Sequence, residues 1–237
     1  MLKIFENEEM TAAVIAKEMK DELQKSSPVF CLASGSTPKR SYLQFAKAVE
    51  NSPDLKRLKI VSLDEWVGID RNTKGSCCQM LNEDLFSLAG IADGQIEFFD
   101  GLAADLHKEC RRIDAFIENH PITFSLMGVG MNGHIGLNEP GLPILDQSSV
   151  IPLSETTKVV AQKYFDAPTD LTKGMTLSLN QIKKSSKVIV AITGERKADI
   201  VKQIFEHPEA KLPAQELLGY PHIDFYLDRS AAKYLNK

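Results

Sequence analysis

Four short stretches of this 237-residue chain combine residue types that chemistry uses. Ser34-Gly35-Ser36-Thr37-Pro38 offers a glycine for close backbone approach, hydroxyls on either side of it, and a proline suited to the first position of a helix. A helix starting there would aim free N–H groups and its positive dipole end at an anion such as phosphate. The same residues would also serve as a plain helix cap. The stretch is not a P-loop, because G-x-x-x-x-G-K-[ST] is absent. Gly194-Glu195-Arg196-Lys197 repeats the arrangement. A lysine at a helix start opposes the dipole unless an anion compensates it, so Lys197 reads either as a phosphate contact or as a solvated surface cation. Asp64 stands next to Glu65 and the only tryptophan, Trp66. A carboxylate beside an aromatic can have a raised pKa suited to a general base, and a turn or cap aspartate is the alternative.

The fourth stretch, Gly128 to Gly141 (GVGMNGHIGLNEPG), is the most informative. Gly128, Gly130 and Gly133 fall in G-x-G-x-x-G register, but a dinucleotide-binding fingerprint must open a helix. Here Gly136, Pro140 and Gly141 break any helix within two turns. What remains is a glycine-rich loop carrying Asn132, His134 and Glu139, in which an imidazole faced by a carboxylate suits proton transfer. The other histidines (His107, His120, His207, His222) form no H-E-x-x-H pair. Cys31, Cys77, Cys78 and Cys110 follow no C-x-x-C spacing, and the vicinal pair has no cation near it in sequence. No metal site and no cofactor are expected.

The elements that must position these residues alternate along the chain. Residues 29–33, 58–63, 122–127, 187–193 and 222–227 are strand-length apolar runs, and 95–99 is a weaker sixth. Helix-like segments lie between them: one after an Asn7 cap, then 39–50, 77–88, 103–119, 155–165, 195–206 and 230–236. This alternation predicts an α/β fold with a mostly parallel sheet, in which ligands bind beyond the carboxyl ends of the strands. All four chemical stretches sit at such ends. Residues 141–173, interrupted by Pro143, Pro152 and Pro168, form the loosest region, and no stretch resembles an inter-domain linker, so one domain is expected.

Composition narrows the classes. Lys+Arg 28 against Asp+Glu 32 leaves a net charge of -4, with no basic excess for a nucleic acid. Charges interrupt every apolar run before the roughly 18 residues a membrane span needs. The N-terminus lacks the apolar region of a signal peptide, and few cysteines in a chain of this length point to a reducing cytoplasm.

LASGSTP, SLDEWVG, GVGMNGHIGLNEPG and TGERKA together resemble the glucosamine-6-phosphate deaminase (isomerase) family, in order and spacing, over essentially the whole chain. The related 6-phosphogluconolactonases share the G-S-T-P and G-H elements but normally carry D-E-R, so Trp66 and Asn138-Glu139-Pro140 favour the deaminase branch. The resemblance implies a Rossmann-like three-layer sandwich and conversion of a hexosamine 6-phosphate to a ketohexose 6-phosphate plus ammonia. It implies Asp64 as the base between C2 and C1, and His134 supported by Glu139 as the ring-opening group. Ser34, Gly35, Ser36, Thr37 and Lys197 would form the phosphate site. Many members have aspartate at Asn132 and an arginine near Lys163; asparagine can orient the imidazole without a charge, and Lys163 supplies charge without a bidentate fork. The segment after Pro140 lacks the basic residues of the family's allosteric site, which implies no such activation and a monomer or small homo-oligomer. Trp66 with Gly75-Ser76-Cys77 resembles the galactosamine-6-phosphate subgroup. The same fold also serves as a non-catalytic sugar-phosphate sensor, which would need the phosphate cradle but not Asp64, His134 and Glu139.

Overall fold

A computed structural model describes residues 1–236. Its central sheet has seven strands, all paired in parallel, in the spatial order β1 (Leu2–Phe5), β10 (Ile223–Asp228), β9 (Val188–Ile192), β6 (Phe124–Gly128), β2 (Val29–Leu32), β3 (Lys59–Ser62) and β5 (Ile96–Glu97). Because successive side chains point to opposite faces, each inner strand feeds two cores. Phe30, Leu32, Ile189 and Ala191 join one of them. Cys31, Val188, Val190 and Ile192 join the other.

On the first face lie α1 (Glu8–Leu23), α2 (Ser36–Ala48) and α3 (Cys77–Leu81), with the short α4 (Ser87–Ala89) following α3 through a π turn. On the second lie α5 (Leu106–Asn119), α7 (Leu179–Lys183) and α8 (Ala198–Glu206). The arrangement is one Rossmann-like three-layer domain. Buried parallel strands read as near-continuous apolar runs, which is why the five inner strands stand out, and the weaker sixth appears as the short, half-buried edge strand β5. β1 was not anticipated: it is an edge strand in a charged N-terminus, with Leu2 and Ile4 exposed and pairing only to β10.

A second sheet, also unanticipated, is antiparallel: β4 (Asp64–Trp66), β8 (Lys173–Thr176) and β7 (Ser149–Pro152). Two acids in β4, a glycine in β8 and a terminal proline in β7 give these segments little strand propensity of their own. Gly174 is required by packing, since a Cβ there would lie 2.1 Å from Leu137 Cδ1. The region expected to be loosest therefore carries β7 and α6 (Glu155–Ala161), the latter extended by a 3₁₀ turn over Gln162–Tyr164. Two expectations are corrected. Residues 230–236 form turns below Asp228, not a helix, and α7 appears where no helix was expected.

Strand order reverses between β2 and β6: β3 and β5 extend the sheet one way, β9 and β10 the other. Such a switch point opens a crevice beyond the strand ends. The four chemical stretches follow β9, β6, β2 and β3, which are adjacent. Among the described residues no helix is long and apolar enough to cross a membrane.

Candidate active site

The crevice is a cavity of about 930 Å³ lined by Ser34 to Thr37, Asp64, His134, Lys163 and Lys197, among others. Each wall has a local cause. At the end of β2, Gly35 has φ 102, a conformation that favours glycine, and caps α2 with no side-chain cap bond. The helix begins at Ser36, so Pro38 is its third residue and not its first. Neither Ser36 nor Thr37 N–H meets an acceptor among the described residues, and Pro38 has no N–H to satisfy. The stretch is therefore not a self-capped helix start, and its free N–H groups have the chemistry to bind an anion. A Cβ on Gly35 would come within 3.0 Å of the Tyr164 hydroxyl, so that ring closes over the cradle.

At the end of β9, Gly194 (φ 88) is held by its N–H to Asp228 at 3.0 Å, and a 3₁₀ turn carries Lys197 inward. Lys197 Nζ donates to the Val129 carbonyl at 2.5 Å. Burial, and then the charge of Lys163, lower its pKa to about 8. Lys163 itself lies 4.8 Å from the centre of the Tyr164 ring. The cavity is lined by Lys163, Arg196 and Lys197 and by Glu8, Asp64 and Glu195, and it is the proximity of the two lysines that an anion between them would relieve.

Asp64 is placed where the chain leaves the parallel sheet. Leu177 N–H bonds the Leu63 carbonyl at 2.8 Å, and Asp64 pairs with Thr176 as the first residue of β4. Its half-buried carboxylate lines the cavity and accepts no hydrogen bond from the described residues. Burial, and next the adjacent Glu65, raise its pKa to about 7. Glu65 points the other way, fully buried, and accepts from Trp66 N (2.8 Å), Cys77 N (3.0 Å), Cys78 N (3.0 Å) and Ser76 Oγ (2.8 Å). Burial still pushes its carboxyl up. It ties the start of α3 to β4. All four cysteines are buried and unpaired.

The loop after β6 contains no helix, so its glycine pattern is not a dinucleotide fingerprint. Its glycines serve packing. A Cβ on Gly130 would fall 2.3 Å from His134 Nε2, and one on Gly136 would fall 2.7 Å from Thr176 Oγ1. His134 faces the cavity, with Nδ1 3.6 Å from Glu139 Oε2 and 3.1 Å from Thr157 Oγ1. Glu139 is buried behind it, and desolvation raises its pKa. The close imidazole, the Thr157 hydroxyl and the Asn132 amide outweigh that effect and hold the carboxyl at about 2. Asn132 does not touch the ring: its Nδ2 donates to Glu139 Oε2 at 2.8 Å, and its Oδ1 takes the His134 backbone N–H at 3.3 Å.

The ten candidate site residues thus converge, eight on the cavity and Asn132 and Glu139 just behind it. Missed were Ser154, Thr157 and Tyr164. Ser154 caps α6 through the Thr157 N–H at 3.2 Å, a local signature visible before the expected 155–165 helix, but nothing local says that this helix returns to His134. No group of three or more His, Cys, Asp or Glu able to hold a metal is found among the described residues.

Residues 6–222 match the family described as glucosamine-6-phosphate isomerases/6-phosphogluconolactonase. The chain belongs to this family. It is 32% identical to a glucosamine-6-phosphate deaminase of Listeria monocytogenes over 206 residues, 86% of each chain. It is 32% identical to that of Oenococcus oeni over 220 residues, covering 92% of this chain and 91% of the other. Among solved structures, a monomeric glucosamine-6-phosphate deaminase superposes with TM-score 0.92 at 26% identity, covering 98% of both chains. A 6-phosphogluconolactonase from Trypanosoma brucei shares the fold, with TM-score 0.77 at 22% identity over 100% of this chain and 98% of that one.

Proposed function

We propose that this family member deaminates and isomerises a hexosamine 6-phosphate to a ketohexose 6-phosphate and ammonia. The observation that carries the reading is Asp64: an unpaired carboxylate with a pKa near 7, in the same cavity as an open phosphate cradle. Ser34 to Thr37, Lys197 and Lys163 hold the phosphate at one end. His134 takes the O1 proton and returns one to the ring oxygen, opening the pyranose to the aldehyde. Asp64 removes the C2 proton as the C2–H electrons form the C1=C2 bond of the enol and the substrate's 2-ammonium group passes a proton to O1. Asp64 then delivers its proton to C1 to leave the C2 iminium. The resulting C2 iminium adds water, and ammonia leaves. Glu139 stays ionised throughout and steadies the imidazole when it is charged.

Ammonia release from glucosamine 6-phosphate and galactosamine 6-phosphate, compared by kcat/KM, tests this directly. Binding of both without release from either would leave a sugar-phosphate sensor, and hydrolysis of 6-phosphogluconolactone above background would favour the lactonase branch. The finer reading is a galacto preference, supported by Trp66 in the cavity wall and its Nε1 bond to the Gly75 carbonyl at 3.0 Å. A higher kcat/KM for the gluco epimer overturns that preference alone. The 141–173 segment is proposed as a mobile lid carrying Lys163, to be checked by hydrogen exchange with and without inorganic phosphate. The likeness to a monomeric deaminase supports a monomer, to be checked by light scattering, and the four free thiols support a reducing cytoplasm.

A further inference from the structure

The 3.6 Å approach of His134 Nδ1 to Glu139 Oε2 is too long for a hydrogen bond, and the atom that Nδ1 does meet is Thr157 Oγ1 at 3.1 Å. The direction of that bond follows from the donors around it. Ser154 Oγ accepts from Asn132 Nδ2 at 3.1 Å and from Thr157 N at 3.2 Å, so its own proton goes to Thr157 Oγ1 at 3.1 Å. Asn132 cannot be turned round, because its Oδ1 is occupied by the His134 N–H. Thr157 Oγ1 is left with one proton and one lone pair. The ionised Glu139 Oε2 lies 3.6 Å from Nδ1, and a bare Nδ1 lone pair would face that negative charge, so the proton of the neutral ring belongs on Nδ1. The remaining lone pair of Thr157 Oγ1 accepts that proton at 3.1 Å, so Nδ1 donates.

We propose that Thr157 is the positioning residue for His134, holding the neutral imidazole as the Nδ1–H tautomer and leaving a lone pair on Nε2. Gly130 leaves the space that Nε2 occupies. Thr157 lies on α6, which continues into the turn bearing Lys163 and Tyr164, so the segment that meets the anion also sets the ring. With an uncharged Asn132 at its back, the ring is oriented through this hydroxyl.

The proposal rests on the deaminase reading only in its kinetic arm. Full-length protein labelled with 15N-histidine would be observed by long-range 1H–15N correlation at about pH 8.5, where ordinary imidazoles are neutral. His134 would be assigned by the signal lost in His134→Gln. The expected result is a protonated Nδ1 and a bare Nε2 in the wild type, a mixture of tautomers in Thr157→Val, and the wild-type pattern again in Thr157→Ser. A wild-type Nε2–H form overturns the proposal without any variant, as does an unchanged tautomer in folded Thr157→Val. In the kinetic arm, Thr157→Val lowers kcat for ammonia release from galactosamine or glucosamine 6-phosphate by about tenfold or more with KM little changed, and Thr157→Ser restores it. An unchanged kcat in folded Thr157→Val would also overturn it. A wild type that releases no ammonia from either would sink the deaminase reading and leave the tautomer result standing.

Discussion

Asp64 has opposite effects on activity and on stability, both from its raised pKa. As the proposed base it must be ionised, so kcat/KM is expected to rise with pH through about 7 and to level off above it. Asp64→Asn should abolish exchange of the C2 proton with solvent, a loss on the order of 100-fold or more, while phosphate binding persists. Retained exchange would remove Asp64 from the mechanism. For stability, the folded pKa lies above the unfolded value of about 4. Its favourable contribution is full below that value and is lost as pH rises through about 7, leaving a cost at alkaline pH. Asp64→Asn should therefore raise Tm more at pH 8 than at pH 5, with a difference of a few degrees read by calorimetry. Lys197 gives a matching binding signal. With its pKa near 8 in the free protein, a phosphate dianion should push it up and draw in a fraction of a proton near pH 8. Titration calorimetry in buffers of different ionisation enthalpy measures this uptake, and Lys197→Met should eliminate it.

At the scale of elements, glycines mark where two segments must nearly touch. Gly75, at φ 96, would place a Cβ 2.7 Å from Phe165 Cδ1 and 2.9 Å from the Tyr164 carbonyl. Gly75→Ala should thus displace the turn after α6, with Lys163 and Tyr164, and raise KM for the sugar phosphate more than it lowers kcat. Steady-state kinetics separates the two, and an unchanged KM would show that this turn takes no part in binding. The same close approach explains what the sequence concealed. The inner parallel strands were legible because each is a short, mostly apolar run with nearly all of its residues inside. β4, β7 and β8 were not, because Asp64-Glu65-Trp66, Ser149 to Pro152 and Lys173 to Thr176 become strands only by pairing with one another. The helix expected at 230–236 failed for the complementary reason: its turns hang from the Asp228 carboxylate and carbonyl, bonded to Ala231 N and Ala232 N.

Across the whole molecule, a net charge of -4 is compatible with an anionic ligand because the attraction is local. Lys163, Lys197 and the open start of α2 face one cavity, and Lys233 pairs with Glu195, one of the acids that line it. Binding at a site shared by both halves of the sheet should stabilise the entire domain. Inorganic phosphate at about 100 times its Kd should add about 2.7 kcal/mol, roughly 5–10 °C in Tm for a chain of this size. Thermal denaturation with phosphate and with sulfate-free controls checks this, and Thr37→Asp, which puts a negative charge in the cradle, should remove the shift.

The sequence by itself determined which segments are buried strands, which polar residues end them, and, through the run from Asn132 to Gly141, the family. These follow from local composition: an apolar run must be inside, and polar residues at its end must lie at the sheet's edge. The tertiary structure alone decided that β9, β6, β2 and β3 are neighbours, so that four separate stretches make one cavity. It alone lifted Asp64 to about 7 and lowered Lys197 to about 8, because desolvation depends on what packs around a group and not on what precedes it. It also brought Thr157 to His134 across 23 residues, a hydrogen bond that no local pattern encodes.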